Sequence, residues 1–361
     1  MNYTSVFVSI IVLISTFLGG CDEESQSFSN NRSFSSICGA ASAHVMACTG
    51  SDERVLQEGC DSADAQLLLD TPCDVLQQAS SIHADQKADG TYDNQISYTC
   101  QWFGIGCPVD ESCAPKLSHE AVAKLIVLSD VSTLVDEYDA RYRIAQIADI
   151  IEAEPDPIGM FAIVYRHITN NAVESVENGM YVHPEWTRKL ITAFARRYLV
   201  NLHGHLTQGE VTPQWTKYYK LARNCEVGRG RVLGVAIATH LIVDLTYALH
   251  DVESIAKHED DYMLFGEISL WVFPDLVADI KTVFNEDVSR LLQGFFFGDW
   301  VDELKGKGAA TTFIYQTVRA NSWRNSQNLW SFPRWMVDAD VASGWGLAEV
   351  SLAVLDATGA L

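Results

Sequence analysis

The sequence predicts an all-α protein in which a large helical domain follows a small disulfide-rich helical module. Three observations carry this reading. From Ser118 onward apolar residues recur at steps of three and four, the spacing of one helix face. No strictly alternating runs joined by hairpin turns occur in the chain. Finally, Cys38, Cys48, Cys60, Cys73, Cys100, Cys107 and Cys113 crowd into 76 residues, with helically spaced apolar residues such as Leu67, Leu68 and Leu76 between them. At 361 residues and 48% hydrophobic content, the chain can bury one large core and one small one.

In chain order, residues 6–18 form an uninterrupted run of apolar and small hydroxylated side chains that ends in Leu18-Gly19-Gly20-Cys21. Thirteen residues are too few for the ~30 Å hydrocarbon core but suit the h-region of a secretory signal. The small residues before Cys21 resemble the bacterial lipobox, whose cysteine receives a diacylglycerol and becomes the mature N-terminus. Residues 1–20 are therefore read as a lipoprotein signal peptide, although residues 1–5 lack the Lys or Arg usual in an n-region. The alternatives are an ordinary signal cut near Gly20 or an apolar N-terminal helix. The expected location is the bacterial cell envelope, with the mature chain membrane-anchored and extracytoplasmic.

Residues 21–37 are polar and rich in Ser and Asn, which reads as a flexible tether. Residues 38–117 are the cysteine-rich module. In an oxidising compartment that cysteine density means a disulfide framework, and without a paired C-x-x-C the competing zinc reading is disfavoured. Seven cysteines cannot all pair with one another. Apart from Cys21 the remaining one is Cys225, so parity points to a bridge from Cys225 back to the module, with a buried free thiol as the alternative. Residues 85–93 mimic the start of a calcium loop. Lys87 stands at a ligand position and Ile96 where a bidentate Glu is needed, so a turn is expected.

Residues 118–361 form the predicted helical domain. Ser118 and Glu120 supply a cap and an acid at a helix start, and Pro155, Asp156 and Pro157 interrupt the run that follows. Pro184 opens a helix whose apolar residues Trp186, Leu190, Phe194, Tyr198 and Leu202 step by four, ending before Gly209. Residues 311–318 are rich in β-branched side chains, yet they lead directly into helix-spaced Arg319 and Trp323 and are read as helix. Gly228, Gly230 and Gly234 make a glycine pattern that follows no strand, which does not support a dinucleotide fold. The aromatic residues Phe295 to Phe297, Trp300, Trp323, Trp330, Phe332 and Trp335 suit a core first, and stacking on a sugar or lipid second.

The formal charge is −22. Such a surface repels phosphate backbones and anionic headgroups, so no nucleic-acid partner is expected and membrane contact is expected from the acyl chains alone. Residues 21–117 carry 15 acidic against 4 basic side chains, which concentrates the acidity near the anchor. A solvated face that keeps the tethered protein off the membrane is the preferred reading, and weak divalent-cation binding the other.

Residues 232–249 form an otherwise uncharged, mostly apolar helix that carries only His240 and Asp244. Four apart, they share a face. A buried carboxylate without a partner costs several kcal/mol, so Asp244 must be paired, hydrogen-bonded, metal-bound or protonated. Two readings follow. In one, Asp244 orients a general-base imidazole, or both side chains ligate a divalent metal as a cofactor. In the other, a satisfied polar pair fixes helix register in the core. His167, His183, His203 and His205 are further histidines for which capping or surface roles are expected, and His250 lies ~15 Å along the helix from His240.

The order Asp156, Phe161, Tyr165 and Thr169, then His183-Pro184-x-Trp186, Phe194-Ala195-x-Arg197-Tyr198, Trp215 and His240-x-x-x-Asp244-Leu245 resembles the bacterial family called domain of unknown function 5995. Arg319-Ala320-x-x-Trp323-x-Asn325 with Leu329-Trp330 is similar to that family's C-terminal motif. The resemblance covers about 138–332 and leaves the cysteine-rich module outside. The chain departs from the family at 237–238, near a usual asparagine, and at His183, where an aspartate is usual. The resemblance implies no settled activity.

Two classes of function stay open. One is a lipid-anchored binding or scaffold protein with a protein or small-molecule partner. The other is a metal-assisted or general-base hydrolase using His240 and Asp244, with Arg319 or a neighbouring histidine as electrostatic partner. A sealed His240 favours the first, and an exposed one beside further polar groups the second.

Overall fold

The computed structural model describes residues 34–50, 62–73, 76–77, 80–81, 116–289, 291, 309–357 and 361, and among these every regular element is helical. The two described helices of the N-terminal module are α1 (Phe34–Thr49) and α2 (Ser62–Asp70). Helix α1 begins at Phe34, so residues 34–37, read from sequence as tether, are already helical. Cys48 at the end of α1 is bonded to Cys73 just beyond α2. Val45, Leu68 and Leu76 share a small core with Val350 and Val354 of the C-terminal helix, so the module packs directly on the helical domain. The calcium-loop mimic at 85–93 lies outside the described residues.

Helix α3 (His119–Ser129) starts where the sequence indicates, with Ser118 Oγ accepting from Ala121 N at 3.1 Å. Helix α4 (Glu137–Ala153) is capped by Asp136, whose Oδ1 accepts from Asp139 N at 2.9 Å. The proline interruption then ends α4, and Asp156 Oδ1 caps a single 3₁₀ turn by accepting from Ile158 N at 3.1 Å. Arg223 NH1 bonds the same carboxylate oxygen at 2.7 Å, which explains how Asp156 is fully buried.

Helix α5 (Met160–Glu177) packs against α4, and α6 (Pro184–Thr207) packs beside both. All five residues of the predicted stripe on α6, from Trp186 to Leu202, are buried. Each such side chain contributes about 1.5–3 kcal/mol when fully buried, enough to hold the helix by that face alone. Helix α7 (Pro213–Ala222) leads into α8 (Arg229–Asp251). Length and composition would let α8 cross a membrane, but it is the central core helix, flanked by α5, α6, α7, α11 (Ala309–Asn328) and α12 (Arg334–Ala357). Helices α9 (Glu259–Leu270) and α10 (Phe273–Phe284) cover the outer side of α5. Residues 311–318 lie within α11.

Candidate functional site around His240 and Asp244

Helix α8 is not regular. Over Thr239–Asp244 it widens into a π-helical turn, and Leu245 N donates to His240 O five residues back. Such turns are rare and recur at functional sites. Neighbouring helices take up polar groups of the segment: Ser322 Oγ on α11 donates to Leu241 O at 2.7 Å, and Trp345 Nε1 on α12 donates to Thr239 Oγ1 at 2.8 Å.

His240 Nδ1 and Asp244 Oδ2 are 2.8 Å apart, and Trp215 Nε1 on α7 donates to the same Oδ2 at 2.9 Å. With the proton of the pair on His240 Nδ1, which donates to Oδ2, Nε2 keeps its lone pair. Burial holds the imidazole below its ordinary pKa, opposed by the hydrogen bond and charge of Asp244. At neutral pH His240 is therefore uncharged.

Three rings close over the imidazole. Phe194 stacks on it with centroids 3.6 Å apart, while Tyr165 and Phe161 meet it edge to face at 4.5 and 5.0 Å. These contacts leave His240 only 3% exposed. His240 Nε2 has no hydrogen-bond partner among the described residues. Beside it lies a narrow cavity of about 30 Å³, room for one or two water molecules, lined mainly by Phe161, Phe194, Phe265 and Leu276.

Among the described residues, the one cation on that wall is Arg319, itself fully buried. Its guanidinium bonds Tyr262 O and lies 4.1 Å over the Tyr262 ring. Gly266 makes room for it, because a Cβ there would overlap Arg319 Nε. Arg319 therefore lines the same cavity as His240; the sequence-based hydrolase reading named Arg319 or a neighbouring histidine as electrostatic partner and needs an exposed His240.

The other histidines are engaged elsewhere. His167 Nε2 meets Asp279 at 2.7 Å, His183 Nδ1 meets Asp261 at 3.0 Å, and His203 Nδ1 lies 3.1 Å from Ile126 O. His205 stacks on Tyr219 at 3.9 Å, and His250 packs against Trp330 at 4.3 Å. Among the described residues no third His, Cys, Asp or Glu joins His240 and Asp244 to complete a ligand set. The one group of that kind among the described residues is His44, Cys48 and Cys73. There the two sulfurs are bonded to each other, so no thiolate remains to hold a metal.

Sequence reasoning paired His240 with Asp244 but missed Trp215 as the second donor and the π turn that carries them. The signal for Trp215 was its presence in the family motif. The profile of a family of unknown function (DUF5995) matches residues 139–344. The chain belongs to that family. The DUF5995 match takes in Phe161, Tyr165, Phe194, Trp215, His240, Asp244 and Arg319, and ends short of the cysteine-rich module. The motif residues Phe161, Tyr165, Phe194 and Trp215, scattered along 55 positions, thus converge on one imidazole–carboxylate pair. No curated protein and no solved structure matches the chain.

Proposed function

We propose that this DUF5995 member is an exported, lipid-anchored protein of the bacterial cell envelope with a binding or scaffold role, its mature chain held outside the cytoplasm through acylated Cys21. The observation that carries the scaffold reading is the sealing of His240, which is 3% exposed under Phe161, Tyr165 and Phe194 beside only about 30 Å³ of free space. No substrate larger than a few atoms reaches Nε2 in this arrangement. The pair then acts as a register lock, in which one buried carboxylate ties the π turn of α8 to Trp215 on α7. The bridge at Cys48–Cys73 agrees with an oxidising compartment, and Leu18-Gly19-Gly20-Cys21 supplies the anchor.

A second reading rests on the partnerless Nε2 and on Arg319 in the same cavity: a general-base or metal-assisted hydrolase whose site opens when α9 and α10 move away. Thermal melts of wild type, Asp244→Asn and Asp244→Ala, with and without divalent metals, separate the two. The register lock predicts a mild effect for Asn, a loss of roughly 1–3 kcal/mol for Ala, and melting curves that no ion moves. A rise in wild-type melting temperature with one metal, lost in both variants, would favour the hydrolase. The anchor is tested by fractionation. Cys21→Ser should move the protein from the membrane to the soluble fraction, and identical fractionation would refute it.

A further inference from the structure

The turn between α11 and α12 exposes seven consecutive residues, 330–336, and four of them are large and apolar. Trp330 is 56% exposed, Phe332 52%, Trp335 67% and Met336 38%. The turn is braced from behind rather than loose. Trp330 rests on His250, Phe332 N donates to Asn328 O at 2.8 Å, and Met336 N donates to Pro333 O at 3.0 Å. Exposed apolar side chains concentrated at one point mark a contact surface.

We infer that this turn is a membrane-contact element that seats its indole and phenyl rings at the headgroup level of a lipid bilayer. The inference rests on the lipid-anchored reading above, and it adds a protein contact where composition alone pointed to the acyl chains only. Three observations favour a bilayer over another occupant. Tryptophan with a neighbouring arginine is the chemistry of the membrane interface, where an amphipathic ring lies between tails and headgroups. The local charge also permits approach, although the chain as a whole carries −22. Residues 324–340 hold two arginines and two aspartates, paired as Arg324 with Asp340 at 3.4 Å and Arg334 with Asp338 at 3.6 Å.

The third observation is reach. Helix α1 packs on α12 near Val350 and Val354, about 23–29 Å along the helix axis from Trp335. Twelve residues lie between Cys21 and Phe34, thirteen Cα–Cα steps that span at most about 45 Å. An acylated Cys21 and the aromatic turn can therefore meet one membrane together. A second copy of the chain is a poorer occupant, because a stable dimer buries about 800 Å² on each partner, more than one short turn offers.

The test uses the exported chain with Cys21→Ser, which has no acyl group, in sedimentation with phosphatidylcholine vesicles. Measurable partitioning is expected. It should fall on the order of tenfold in the triple variant Trp330→Ala/Phe332→Ser/Trp335→Ser and by a smaller factor in Trp335→Ser alone. Brominated lipid should quench wild-type tryptophan fluorescence and quench Trp335→Ser less. Trp335→Ser guards against misfolding, since that side chain is the most exposed of the four. Absence of partitioning in the parent, or equal partitioning in all three proteins, would overturn the inference. So would a parent that is dimeric in gel filtration and becomes monomeric in Trp335→Ser, which would make the turn an interface between copies. Because no acyl chain takes part, failure of the anchor in cell fractionation leaves this result standing on its own.

Discussion

His205 stacks on Tyr219 and is half-buried near Arg223; burial first, and that guanidinium second, push its pKa down to about 4. In the unfolded chain it titrates near the ordinary value of about 6.5. Between those values the unfolded state binds more protons, so stability is full above pH ~6.5 and falls as the pH drops toward 4. The expected loss is on the order of 2–3 kcal/mol, read as a falling melting temperature across that window. His205→Phe keeps the stack and removes the titration, so its stability should vary less with pH. His240 shifts in the same direction for the same reason and adds to the slope. The two histidines differ in legibility. His240 stood out in the sequence because its helix was otherwise almost uncharged, whereas His205, in a polar helix end, gave no sign of a ring partner fourteen residues away.

Three helices meet at a charge cluster that no local pattern announced. Glu349 of α12 accepts from Arg231 of α8 at 2.6 Å and lies 3.5 Å from Lys217 of α7, and all three are nearly inaccessible. Removing one partner of a buried ion pair costs about 3–5 kcal/mol, so Glu349→Ala should lose that much in chemical denaturation. Glu349→Gln, which keeps an acceptor, should lose less. The cluster was invisible from sequence because Arg231 and Glu349 are 118 residues apart, and a lone charge in an apolar stretch does not name its partner. The π turn was hidden for a similar reason: neighbouring helices hold it, through Ser322 and Trp345. What was legible was periodic. The four-residue stripe of α6, the proline break after α4 and the apolar run of α8 all read correctly, because each is set by residues close in sequence. Aromatic position was not legible, since spacing cannot tell buried Trp323 from exposed Trp335.

At the scale of the whole molecule, the N-terminal part and the helical domain are joined by a disulfide as well as by packing. Cys38 and Cys225 are both disulfide-bonded, with partners that lie outside the described residues. Every other cysteine of the chain precedes residue 118, so the Cys225 bridge runs back to the N-terminal part; cysteine parity pointed to the module, and the partner itself lies outside the described residues. Cys225→Ser should lower stability by about 2–4 kcal/mol and leave a free thiol near the N-terminus that mass spectrometry after alkylation detects. The same bridge imposes an order of events on maturation. Cys225 follows Cys113 by 112 residues, so in the export proposed above the module's thiols meet the oxidant well before Cys225 arrives. A fragment spanning 38–117 holds seven cysteines, and at least one must stay free or join another molecule. One thiol therefore has to stay unpaired until Cys225 arrives, and an early bridge that captures it has to be undone by thiol–disulfide exchange. Timing as well as oxidation therefore completes this protein, and the N-terminal module cut away from its domain carries a thiol with no partner inside it.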